Sequence, residues 1–218
     1  MRESIKSSAT EVGTHPFFAL HDLSEDERRS VFGQWYIAAR KHKELFPWLV
    51  AITKIDPVRY ELIQILHDEY GKGNPLFIHG NLLEQTVRFL GIHPTEITPA
   101  KGNQVFAETT EQVWKNEKEP ITAYGYHQYL EESSSILHKK LYALLHNVPD
   151  VYKLYSSYHE FAETEHARIS AKGLDAYKNE PEKLQQGVAV GAEALRHLLD
   201  ALIPPSRSTS PASPSMRK

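Results

Sequence analysis

The sequence predicts an all-α domain, and three observations carry that prediction. Apolar residues recur at three- and four-residue spacing along most of the chain. Helix start and stop signals bound those stretches: Ser24 with Glu27 three residues later, Asp56-Pro57, Pro120 and Gly91. Strand alternation and Asn-Gly hairpin signals are absent.

Taken in order, residues 1–14 read as a flexible N-terminus with one weak helical patch. His15-Pro16 is an extended entry, because a residue before proline avoids the α region. The capping box at Ser24 opens a helix carrying Val31, Phe32, Trp35, Tyr36 and Ala39 to about Lys43. A second apolar segment begins at Phe46-Pro47 and ends near Lys54. Asp56-Pro57 starts a third helix through Ile63, Ile65 and Leu66 to Glu69 and Tyr70. Gly71-Lys72-Gly73-Asn74-Pro75 breaks it, and a fourth runs through Ile78, Leu82 and Val87 to Gly91. After a Pro/Thr-rich loop, a helix over about 104–116 carries Phe106 and Trp114. A long one follows over about 122–146, with Leu130, Leu137, Leu141, Leu144 and Leu145 as its core stripe. On that helix Glu131 lies about 80° from the stripe, whereas Glu132 points nearly opposite, into water. Pro149-Asp150 separates it from a helix ending near Lys172, and a last one spans about 182–202. About seven principal helices thus form one domain over 15–203, and 204–218, rich in Pro and Ser, reads as a disordered tail.

Composition excludes several classes. The 218 residues carry a formal net charge of -3 with no basic block, which argues against nucleic acid as a partner. There is no cysteine, so disulfides, thiolate metal sites and a cysteine nucleophile are excluded. No apolar run approaches the roughly 20 residues that cross a bilayer, and Met1-Arg2-Glu3-Ser4-Ile5 lacks a signal-peptide core. A soluble cytoplasmic protein is the expectation. Twelve histidines, several beside carboxylates, tilt the reading toward metal chemistry.

The richest stretch is Tyr158 to His166. His159, Glu163 and His166 stand at i, i+4 and i+7 and fall within roughly 40° of one another on a helix. Two imidazoles and a carboxylate on one stripe make a metal half-site. Glu69, His79 and Glu131 are complementary candidates on other helices. Glu69 and His79 would not align on a straight helix, but the Gly/Pro break between them permits it. Three carboxylates buried together without a cation would repel one another, so burial of this set points to a metal.

On these residues the chain resembles the haem-oxygenase-like di-metal oxidases, a family of iron-containing redox enzymes. The resemblance runs from about His15 to Leu202. It rests on Asp68-Glu69-Tyr70-Gly71-Lys72-Gly73-Asn74-Pro75 with His79 following, on Gly125 through Leu130-Glu131, and on His159, Glu163 and His166. The family more often has Asp where Glu163 stands, which puts that ligand's bridging geometry in question. The resemblance implies that all six residues, Glu69, His79, Glu131, His159, Glu163 and His166, are metal ligands. It implies a haem-oxygenase-like helical bundle, two Fe ions (or an Fe/Mn pair), O2 as co-substrate and a peroxo-bridged di-iron intermediate. The substrate would be an amino acid, a fatty acid or an amine, with an external electron donor and a homodimer as further expectations.

Phe32, Trp35, Tyr36, Phe77 and Tyr124 are candidate lining for the substrate pocket, each also readable as ordinary core. Lys139 and Lys140 could pair a substrate carboxylate, or be surface lysines. The same scaffold serves thiamine-salvage hydrolases, which need a cysteine nucleophile, and a cofactor-free oxidase of pyrroloquinoline quinone biosynthesis. A haem reading could use His42 but finds no Gly-rich distal helix. A non-enzymatic helical interaction protein is the remaining alternative. Burial discriminates: the enzyme reading requires Glu69, Glu131 and Glu163 to face one cavity.

Overall fold

The computed structural model describes residues 1–207. Among them are eight α-helices and no strand: α1 Arg2–Glu11, α2 Glu25–Ile52, α3 Asp56–Glu69, α4 His79–Phe89, α5 Lys101–Trp114, α6 Pro120–Ala143, α7 Leu154–Lys172 and α8 Pro181–Leu202. Helix α6 is the axis of the bundle. Every residue from Ile121 to Leu130 is buried, because α7, α8, α1 and α5 all pack on it. The closest approach is to α8. A Cβ on Gly125 would overlap the Leu184 carbonyl, and one on Gly187 would overlap Thr122 and Tyr126 backbone. Only glycine permits that spacing. Helices α2 and α5 pack on one another and on α8, while α3 and α4 pack against α7 and α2.

Four expectations change. The stretch read as a flexible N-terminus contains α1, docked on α6 through the fully buried Ile5 and through Ala9. That docking also removes Glu132 from water: its side chain accepts from Gln128 and pairs with Arg2 across the α1–α6 contact. The two helices expected around Pro47 are one. Pro47 sits on the exposed face of α2, where the Lys43 carbonyl it leaves unpaired can be solvated. The start of the Pro/Ser-rich tail is anchored: Pro204 is buried, and Ser206 and Arg207 both donate to Glu27. The remainder, 208–218, lies outside the described residues.

The capping box of α2 is present in full, with Glu27 N–H donating to Ser24 Oγ and Ser24 N–H to Glu27 Oε2. Between α3 and α4 the chain turns through Gly71, Lys72 and Gly73, all at positive φ. A Cβ on Gly71 would lie 2.8 Å from the Phe77 backbone, so this turn needs glycine both for its φ of +79° and for space. The turn brings the end of α3 and the start of α4 side by side.

Candidate metal centre

That turn sets His79 Nδ1 2.9 Å from Glu69 Oε1. The helix α7 supplies His159, Glu163 and His166 from its buried stripe, and α6 supplies Glu131. The six sequence-predicted residues therefore meet. Glu69 Oε1 lies 3.8 Å from His159 Nε2, which is 3.8 Å from Glu163 Oε1. His166 Nδ1 lies 3.7 Å from Glu163 Oε2 and 3.8 Å from Glu131 Oε2. Glu69, Glu131 and Glu163 line one cavity, the arrangement the enzyme reading requires.

These separations are informative. At 3.7–3.8 Å the groups are too far apart for hydrogen bonds. Two donors bound to one divalent ion at about 2.1 Å each stand roughly 3.0–3.5 Å apart, so a small inward adjustment would make these pairs edges of a coordination shell. The buried Oε2 of Glu131 and Nε2 of His79 have no protein partner. The donor set thus fits divalent metal ions. Among the six, two groupings lie within reach of one ion: Glu69, His79 and His159, and Glu69, Glu163 and His166.

The surroundings fix the rings. A carbonyl only accepts, so His159 Nδ1 donates to Tyr155 O at 2.8 Å and leaves Nε2 facing the cluster. His166 Nε2 donates to Asp68 Oδ2 at 3.0 Å, which turns Nδ1 toward Glu131 and Glu163. Asp68 is itself held by Tyr158 and Lys72, each at 2.9 Å. A carboxylate orienting a ligating imidazole is the usual outer layer of a metal centre.

Electrostatics divide the carboxylates. Burial alone would raise Glu69, but the charges of His79 and His159 outweigh it and hold that carboxyl well below its ordinary range. Burial likewise opposes ionisation of Glu163, yet the facing His166 imidazole, 3.7 Å away, brings it down to about 2. Glu131 moves the other way: burial, then the adjacent Glu163 charge, push it well above the ordinary value. Burial lowers His166, but its bond to Asp68 and the nearby Glu163 carboxylate raise it overall. The cluster carries stress that a cation would relieve.

Sequence reasoning missed four neighbours. Asp68 was passed over beside Glu69. His138 stands seven residues after Glu131, the same spacing that marked His159 and His166, and lines the cavity. His127, one turn before Glu131, is fully buried with its Nδ1 3.4 Å from Glu131 Oε1. His42, weighed only as a haem ligand, also lines the cavity and packs its ring on Trp114. Of the five aromatic pocket candidates, Trp35 lines the cavity. Phe32 is buried elsewhere in the core, and Tyr124 donates its hydroxyl to Ser170 O. Tyr36 bonds Glu84 outside the cavity, and Phe77 is 50% exposed on the α3–α4 connection. Aromatic character marks burial but not which space a ring faces. Lys139 is exposed and Lys140 donates to Leu20 O, so neither reaches the cavity. No helix among the described residues is long and apolar enough to cross a membrane.

The family model described as iron-containing redox enzyme matches residues 29–200. Two crystal structures of a CADD-like protein of unknown function from Nostoc punctiforme are similar in fold. One has 18% identity and a TM-score of 0.71, covering 83% of this chain and 82% of that one. The other has 16% identity and a TM-score of 0.75, covering 92% of each. No curated protein matches the chain.

Proposed function

The chain belongs to the iron-containing redox enzyme family and has its haem-oxygenase-like all-α fold, and from that premise we propose that it is an O2-dependent non-haem di-iron oxidase or oxygenase acting on a small organic molecule. An amino acid, a fatty acid or an amine is the substrate class, and an electron donor outside the chain completes the reaction where the substrate alone does not supply the electrons. The observation that carries this reading is the convergence of Glu69, Glu131 and Glu163 with His79, His159 and His166. Most of their facing atoms lie too far apart to bond to one another.

In this reading, Glu69, His79, Glu131, His159, Glu163 and His166 would hold two iron ions, which when bound would supply redox chemistry toward O2. The chain does the rest. Tyr155 O and Asp68 hold the His159 and His166 rings with one nitrogen turned inward. The apolar wall of Phe46, Phe106, Leu130, Leu137, Leu195 and Leu198 excludes water and accepts the non-polar part of a substrate. Carboxylates outnumbering what one ion needs balance the charge of two.

The test is an anaerobic ferrous titration of chelator-treated protein, followed by an oxygen pulse. Uptake of two irons per chain, oxygen consumption and a transient visible absorption are expected. A single weak iron site, or two irons that leave oxygen untouched, would overturn the reading. His159→Ala and Glu131→Ala should each abolish tight binding of the second iron. Retention of two irons by both variants would sink the ligand assignment.

A further inference from the structure

His138 has no role in the six-ligand set, yet it is 1% exposed at the wall of the same cavity. Its ring stacks on His159, with centroids 4.5 Å apart and planes 23° apart, and meets Trp35 and Tyr155 edge-on. Its Nε2 lies 3.6 Å from Glu163 Oε1, and its Nδ1 is buried with no partner. An ordinary core histidine is kept because its nitrogens find partners. Leaving one buried and unpaired costs about 1–3 kcal/mol.

The position of His138 follows from helix pairing. Glu131 and His138 are seven residues apart on α6, and His159 and His166 seven apart on α7. Helices α6 and α7 pack together. His138 stands level with His159, and Glu131 level with His166. Glu163 lies between the levels, with Oε1 toward His138 and His159 and Oε2 toward His166. His138, His159 and Glu163 each offer an atom within 4.8 Å of the others, which is within reach of one ion. His159 belongs equally to the grouping with Glu69 and His79.

We propose that His138 is a seventh donor of this centre, binding through Nε2 a divalent transition-metal ion shared with His159 and Glu163. The proposal rests on the reading of the cluster as a metal centre. It makes the two levels chemically unequal. The level of His79, His138 and His159 offers three imidazoles, whereas that of Glu131 and His166 offers one. Imidazole donors favour later first-row ions such as Fe(II), Co(II) and Zn(II) over Mg(II) or Ca(II), so the three-imidazole level is the tighter for such ions.

Cobalt(II) is the probe. Chelator-treated wild-type protein and the His138→Phe variant are titrated with Co(II), reading visible ligand-field bands, and then with a competing chelator. Phenylalanine keeps the ring packing and removes the donor. The expected result is a fall of about tenfold or more in affinity at one of two sites, with a changed band pattern and a metal-free melting temperature no lower than wild type. In His138→Ala, added imidazole should restore both bands and affinity. Unchanged Co(II) affinity and bands in His138→Phe would overturn the proposal, and so would failure of imidazole to rescue a folded His138→Ala. If wild-type protein itself takes up no Co(II), the metal-centre reading falls, a result separable from loss of His138 alone.

Discussion

Glu131→Gln should stabilise the metal-free protein and reduce the stabilisation that added metal confers. The glutamine is nearly isosteric. Burial and the neighbouring Glu163 charge hold the Glu131 carboxyl well above its ordinary value, and its Oε2 has no protein partner. A raised carboxyl pKa means that folding takes up a proton. Wild-type metal-free stability therefore falls as pH rises above the unfolded value of 4.5 and through the raised folded value. The amide removes that penalty. The desolvation cost of a buried polar group, about 1–3 kcal/mol, sets the scale of the gain. For a chain of this size it is a rise of about 2–7 °C in melting temperature. The gain should widen with pH. With metal that advantage shrinks. A metal at 100 times its dissociation constant stabilises wild type by about 2.7 kcal/mol, and a variant binding it tenfold more weakly by about 1.4 kcal/mol. The assay is thermal denaturation at pH 6, 7 and 8, with chelator and with a range of ferrous or cobaltous ion. A metal-free variant melting below wild type at pH 8, or an equal metal-induced shift in both proteins, would refute the reasoning.

Other predictions follow from the packing. Gly187→Ala places a methyl against Thr122 and Tyr126 backbone, and should cost about 1–3 kcal/mol, read as a lower melting temperature. Gly71→Ala strains a φ of +79° and pushes on the Phe77 backbone; it should weaken metal binding by moving His79 from Glu69, with isothermal titration as the check. Arg207 and Ser206 hold Glu27 down to about 2 from 4.5. Its contribution is present above pH 4.5 and is lost as pH falls toward about 2, so acid unfolding should begin at higher pH when residues 204–218 are deleted. Carboxyl NMR of Glu27 in the deletion should show its titration moving back up. That contribution is present in full at neutral pH, so the same deletion should also lower the melting temperature there, by a small amount because the Arg207–Glu27 pair lies at the surface and Pro204 is the tail's one buried residue among those described.

The fold was legible because helical spacing and end signals are local. Ser24 with Glu27, Asp56-Pro57 and Pro120 each mark an observed helix start to within a residue or two. Pro47 misled because a proline on a solvated face of a helix costs less than one facing the core. Helix α1 was hidden by its composition: only Ile5 and Ala9 of its ten residues are buried, too few to stand out as a stripe. Within the site, His159, Glu163 and His166 could be read from one helix alone. Glu69 and His79 were candidates because the Gly/Pro break permits them to align, but only the family resemblance implied that they do, since nothing in their spacing shows how tightly Gly71 folds the chain. His138 was obscured by its neighbour Leu137, whose place in the leucine stripe drew the reading of that turn. Asp68 was masked because the adjacent Glu69 already explained the motif.

The glycine turn between α3 and α4 also divides the centre by distance along the chain. Glu131, His159, Glu163 and His166 sit on α6 and α7, joined by the short connection 144–153. Glu69 and His79 come from far upstream and reach the others only when α3 and α4 dock on α7. Contacts close in sequence form sooner than distant ones, because less chain entropy is lost in closing them. One half of the donor set therefore sits on a helix pair with little chain to close between its members, and the other on an arm that must be brought in from far upstream. The entropy of completing the centre falls mainly on that arm. Gly71, by folding the arm back on itself, shortens the loop between its own two donors and leaves a single long closure to be made.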